Sequence, residues 1–129
     1  MMKSFLLDTS ILIDFLRVKD KKQTLLYKLA KKNYTFFISI VTHSELYAGR
    51  NVWKNQYANK ELEILLTGIT ILPLDIEISR LAGKIRTKHH IALIDAIIAA
   101  TALQNKLSLA TLNVKDFKKI DALELLKIT

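Results

Sequence analysis

Four acidic residues stand where a carboxylate needs a reason. Asp8 follows an apolar run in Phe5-Leu6-Leu7-Asp8-Thr9-Ser10, and Glu45 lies in Thr42-His43-Ser44-Glu45-Leu46. Asp95 interrupts Leu93-Ile94-Asp95-Ala96-Ile97-Ile98-Ala99-Ala100, and Asp116 sits in Asn113-Val114-Lys115-Asp116-Phe117. Asp95 is the only charge between His90 and Lys106. An ionised carboxylate in so apolar a segment is costly unless it is paired or bound to metal. A pairing partner, if that is its role, would be Arg86 or Lys84. The other acids have ordinary alternatives. Asp8 could cap a helix, as could Thr9 or Ser10. Thr42-x-x-Glu45 has the spacing of a capping box, and Asn113-x-x-Asp116 that of a cap with helix-dipole complementarity. If all four acids converge, they repel one another and pKa values rise. A hard divalent cation, which takes oxygen ligands, removes that conflict. Such an ion neutralises phosphate oxygens and lowers the pKa of a bound water, so the set suits phosphodiester hydrolysis.

The elements that must position these acids follow from periodicity. Strands are expected at Phe5–Leu7, Phe36–Ile40, Ile69–Leu72, Leu107–Ala110 and Leu123–Ile128. Helices are expected at Ser10–Arg17, Asp20–Lys32, Thr42–Gly49, Val52–Leu66, Asp75–Lys88 and Ala92–Asn105. Alternation of this kind predicts a parallel sheet with helices on both faces. Ligands of such sheets sit beyond the carboxyl ends of the strands. The four acids map to that rim.

Composition bounds the rest. The chain has 129 residues, half of them hydrophobic, so one domain over 1–129 with a real core is expected. The absence of Cys excludes a disulfide scaffold, and three Gly with one Pro speak against a turn-rich all-β fold. The formal charge of +8 favours an anionic partner, most often nucleic acid. Residues 1–60 carry 11 basic against 4 acidic side chains; residues 61–129 carry 9 against 8. Asp8 and Asp14 break any signal-peptide pattern, and the apolar stretch Ile91–Leu103 is too short to span a bilayer. The expected place is the cytoplasm, with no membrane partner.

The segments LLDTSILIDFL, TxxELYAG, LIDAIIAATAL and ATLNVKDF, in this order and spacing, resemble the PIN domain. More narrowly they resemble the VapC-type ribonuclease toxins of prokaryotic VapBC toxin–antitoxin pairs. The resemblance spans nearly the whole chain; each segment alone is weak, and the four together are specific. It implies a three-layer α/β/α fold with a central parallel sheet of four to five strands. It implies an endoribonuclease dependent on Mg²⁺ or Mn²⁺, leaving 5′-phosphate and 3′-hydroxyl ends. It further implies a homodimer and a VapB-like antitoxin that blocks the site. Carried over by position, Asp8, Glu45 and Asp95 match the family's metal-binding acids, and Asp116 matches the fourth. Which of Asn113 and Asp116 faces the metal stays open. Thr9 and Thr111 match small hydroxyl positions that orient the acids or the attacking water.

Arg86 and Lys88 lie near Asp95 in sequence and are candidate RNA phosphate contacts. His89 and His90 are adjacent, so they do not face one metal on a helix, and His43 reads as a surface residue. Asp14 reads as solvated or paired with Arg17. Trp53, Tyr47 and Tyr57 read as core packing, or else as a partner-helix groove completed by Leu25, Leu26 and Leu29. Lys19, Lys21, Lys22, Lys28, Lys31 and Lys32 form either a solvated face or a phosphate-contact stripe. Three rival readings are a receiver-type signalling domain, a non-catalytic basic RNA-binding module and a housekeeping RNA-processing PIN nuclease. The first needs an acidic pair where only Asp8 stands. The second leaves Asp95 unexplained.

Overall fold

The computed structural model describes residues 3–49 and 51–126. Its strands are β1 (Ser4–Leu7), β2 (Thr35–Ser39), β3 (Ile69–Leu72) and β4 (Ser108–Ala110). All pair in parallel, in the order β3-β2-β1-β4. Side-chain alternation builds the layers. Phe5 and Leu7 of β1 enter one core with Ile11, Leu12, Leu46 and Leu62. Leu6 enters the other, with Ile78, Ala82, Ile98 and Phe117. A strand apolar at successive positions must be covered on both faces. The first face is covered by α1 (Thr9–Arg17), α2 (Leu25–Ala30) and α4 (Gln56–Leu66), the second by α5 (Ile76–His89) and α6 (Leu93–Gln104). Two short helices complete the fold: α3 (Ile40–Tyr47) follows β2 directly, and α7 (Val114–Phe117) follows β4 after a three-residue turn. The result is the three-layer α/β/α arrangement expected.

Local hydrogen bonds shift several expected boundaries. The helix expected over 20–32 is split at Thr24, whose buried hydroxyl donates to the Lys21 carbonyl at 2.6 Å and accepts from the Tyr27 N–H. The helix expected from Val52 starts at Gln56, because Asn55 Oδ1 accepts from the N–H groups of Tyr57 and Ala58. Helix α3 starts at Ile40, capped by Ser39, so Thr42 lies inside it and cannot head a capping box. Asp75 does cap α5, accepting from Ile78 N–H at 2.8 Å. Of the strand expected over 123–128, Leu125 forms a single parallel bridge to Leu109. Residues 127 and 128 lie outside the described residues. No described helix is long and apolar enough to cross a membrane.

Candidate active site

Strand order reverses at β1, with β2 on one side and β4 on the other. The crevice beyond the carboxyl ends of β1 and β4 is where such sheets hold ligands. Asp8 stands there, immediately after β1, with its backbone N–H on the Ala110 carbonyl at 2.9 Å. It occupies the N-cap position of α1 but makes no side-chain cap bond. Its carboxylate turns to its neighbours instead: Oδ2 accepts from Ser10 Oγ and from Thr111 Oγ1, both at 2.7 Å. Each hydroxyl in turn accepts a backbone N–H, Ser10 from Leu112 at 3.1 Å and Thr111 from Asn113 at 2.9 Å. Those N–H groups occupy the hydroxyl lone pairs and aim both protons at Oδ2. Oδ1 accepts no hydrogen bond among the described residues.

Glu45 reaches the same rim from α3. Its Oε1 accepts from Thr9 Oγ1 at 2.6 Å, and Thr9 also meets Thr42 Oγ1 at 2.9 Å. Asp116 enters from α7. Its Oδ2 accepts from Asn113 Nδ2 at 2.9 Å, and Asn113 makes no side-chain cap bond. The side-chain cap readings of Asp8 and Glu45 therefore fail, while Asp116 does stand in the first turn of α7, where its charge complements the helix dipole. Among the described residues each of these three acids has one oxygen held and the other open.

Asp95 lies in the first turn of α6. Its pKa is pushed from 3.8 up to about 6, first by burial, then by the charges of Asp8, Glu45 and Asp116. Asp95 therefore lies within electrostatic reach of the other three acids. Among the described residues no cation pairs with them; the ion pairs are Lys21–Glu61 and Lys88–Asp121. The pairing of Asp95 with Arg86 or Lys84 is not formed. Arg86 Nη1 donates instead to the Ile91 carbonyl at 2.7 Å, securing the turn that leads into α6. Asp14 makes no ion pair with Arg17 among the described residues. No three His, Cys, Asp or Glu side chains among the described residues are gathered into a finished metal cage. The four carboxylates influence one another electrostatically without forming one contact shell.

Two site residues were passed over as simple caps. Ser10 donates to the Asp8 carboxylate itself, Thr42 meets the Thr9 hydroxyl that holds Glu45, and the only sequence signal is a hydroxyl beside each motif. The aromatic expectation also changes. Trp53 and Tyr57 are 73% and 77% exposed, not core. Trp53 Nε1 donates to the Tyr47 carbonyl at 2.6 Å, and its ring packs on Tyr47. Leu26 and Leu29 are core residues and complete no groove. The adjacent cleft, about 680 Å³, runs past Ile13, Leu16, Arg17, Val52 and Leu62, and touches the acids only through Glu45. In the lysine cluster, Lys21 folds back over the Phe15 ring and Lys31 over Tyr27.

The family model described as "PIN domain" matches residues 5–123. The chain belongs to the PIN domain family. A curated relative, Ribonuclease VapC1 of Rickettsia felis, is 35% identical over 136 residues, covering 96% of each chain. Among solved PIN-fold structures, VapBC2 from Rickettsia felis bound to a promoter DNA fragment superposes with a TM-score of 0.78 at 25% identity, over 98% of this chain and 99% of that one. A toxin–antitoxin complex from Klebsiella pneumoniae gives 0.73 at 29% identity, over 92% and 93%. In this PIN domain the oxygen-only donor set, with an open oxygen on Asp8, Glu45 and Asp116, fits a hard divalent cation.

Proposed function

We propose that this protein is a divalent-metal-dependent endoribonuclease, the toxin of a type II toxin–antitoxin pair, with the whole chain 1–129 as one PIN unit acting in the cytoplasm. The observation that carries the catalytic reading is the set of acids Asp8, Glu45 and Asp116, each held by a hydrogen bond on one oxygen and paired with no cation among the described residues, with Asp95 within electrostatic reach of all three. Asp8, Glu45, Asp95 and Asp116 hold the ion, Mg²⁺ or Mn²⁺. When bound, the ion neutralises the scissile phosphate and makes a water acidic enough to attack. The chain's own part is orientation. Ser10 and Thr111 fix Oδ2 of Asp8 so that Oδ1 faces the ion. Thr9 fixes Glu45 through Oε1. Asn113 holds Asp116, which makes Asp116 the acid that faces the metal and Asn113 its support. Arg86 and Lys88 meet RNA phosphates at the end of α5. The exposed Asp121 partner of Lys88 yields easily, since exposed ion pairs contribute little.

The antitoxin segment lies in the cleft beside Glu45, with the preset Trp53 ring as an anchor. A second copy of the chain covers Ile40, Leu74 and Ile76. These three are exposed large apolar side chains, at 38%, 39% and 77%. Ile76→Asp should convert the homodimer to a monomer in sedimentation; an unchanged mass would move the interface elsewhere.

The deciding assay is cleavage of pooled cellular RNA by the purified protein with Mg²⁺ or Mn²⁺. Cleavage should vanish in EDTA and be silenced by co-expression with the product of the neighbouring open reading frame. RNA binding without cleavage under any divalent ion would identify a binding-only module. Cleavage that the neighbouring product does not silence would favour a housekeeping nuclease.

A further inference from the structure

Thr42 is the one fully buried hydroxyl in the helix that carries Glu45, and it touches no substrate-facing surface. Thr87 and Thr101, each within a helix, give their hydroxyl to a carbonyl one turn back: Thr87 to Gly83 at 3.0 Å, Thr101 to Ile97 at 2.7 Å. Thr42 instead meets Thr9 Oγ1 on α1 at 2.9 Å. The direction of that bond is set by its neighbour. Thr9 has one hydroxyl proton, and Glu45 Oε1 takes it at 2.6 Å. A carboxylate only accepts, so Thr42 must donate to Thr9. The chain runs Thr42 O–H to Thr9 O–H to Glu45 Oε1, from a dry interior to an exposed acid. A hydroxyl that accepts a hydrogen bond is a stronger donor in its own right.

Resting on the reading of Glu45 as a metal-binding acid, we propose that Thr42 is a positioning residue for Glu45. It acts through Thr9. By occupying the acceptor side of the Thr9 hydroxyl, it leaves that hydroxyl one orientation, toward Oε1. Glu45 is then restrained from α1 as well as by its own helix, α3. A glutamate at the protein surface otherwise spreads over several rotamers. Groups that orient metal-binding side chains commonly change affinity or activity by about 10–100-fold when removed.

The test compares Thr42→Val, which keeps the shape and removes the hydroxyl, with Thr42→Ser, which keeps the hydroxyl. Mn²⁺ binding by calorimetry and the kcat and KM of RNA cleavage are read on each. Thr42→Val should weaken Mn²⁺ binding by about tenfold and lower kcat with KM near wild type; Thr42→Ser should restore both. Should the Val variant not fold, Thr9→Val interrupts the same chain one link later and should give the same Mn²⁺ loss. The Glu45→Gln background separates the two readings. There, adding Thr42→Val should cause no further loss, because a residue acting through Glu45 is not additive with it. Wild-type Mn²⁺ affinity in Thr42→Val, with Glu45→Gln impaired, overturns the positioning role alone. Wild-type affinity and cleavage in Glu45→Gln overturns the site reading beneath it.

Discussion

Asp95→Asn should lower RNA cleavage by at least about a thousandfold while making the EDTA-treated protein more stable. A thousandfold corresponds to about 4 kcal/mol of lost transition-state stabilisation, a loss within reach of removing a charged ligand from a metal-assisted hydrolysis. The gain in stability has a separate cause. Asp95 is held above its ordinary pKa by burial and by three neighbouring carboxylates, and no cation offsets them among the described residues. An amide of the same shape removes that repulsion. Asp8→Asn is the contrast. It should also lose cleavage, but without the gain, because the Asp8 carboxylate accepts two hydroxyl hydrogen bonds on Oδ2 that an amide oxygen meets less well. Kinetics and thermal unfolding of both variants in EDTA check the pair. Cleavage by Asp95→Asn within tenfold of wild type would remove Asp95 from the site.

The pH dependence of stability should carry the same signature. Asp95 titrates near 6 in the folded chain and near 3.8 when unfolded. Between those values the folded state binds the extra proton, so stability falls as pH rises through that window. The stability of Asp95→Asn minus that of wild type should therefore grow from near zero below pH 4 to a plateau above pH 6. After allowance for solvent around a half-buried group, the plateau is about 1–2 kcal/mol. Adding Mn²⁺ at neutral pH should reverse the difference. An ion at a hundredfold its Kd stabilises the protein it binds by about 2.7 kcal/mol, and Asp95→Asn should gain much less. Denaturant titrations at pH 4, 5, 6 and 7.5, with EDTA or Mn²⁺, measure both effects. A flat difference across this range would mean that Asp95 does not feel the other three acids.

Much of this was legible in the residues. The run Phe5-Leu6-Leu7 is apolar at every position, which forces a strand covered on both faces, and the two cores divide Phe5 and Leu7 from Leu6 accordingly. Asp95 was the acid hardest to explain by local structure, since no cap or neighbouring charge of its own helix accounts for it. The pattern misled where a polar side chain outbid periodicity. Thr24 and Asn55 bind local backbone groups and end or delay helices whose apolar spacing runs on. Trp53 and Tyr57 are large and apolar, which reads as core; their exposure depends on the turn before α4, which spacing does not encode.

The sequence by itself determined the strand and helix types and the two-sided sheet, because these follow from side-chain period, and it singled out four candidate acids, Asp95 among them from the cost of an isolated charge. Only the tertiary structure decided which oxygen of each acid is held and which is free. It also decided that Thr111 turns its hydroxyl to Asp8 and that Thr42 lies behind Thr9. Those bonds join residues up to 103 positions apart, as between Thr111 and Asp8. Their existence depends on the strand order that sets β4 beside β1 and α1 against α3. A hydroxyl has no preference between capping its own helix and crossing to another until the packing presents the second acceptor.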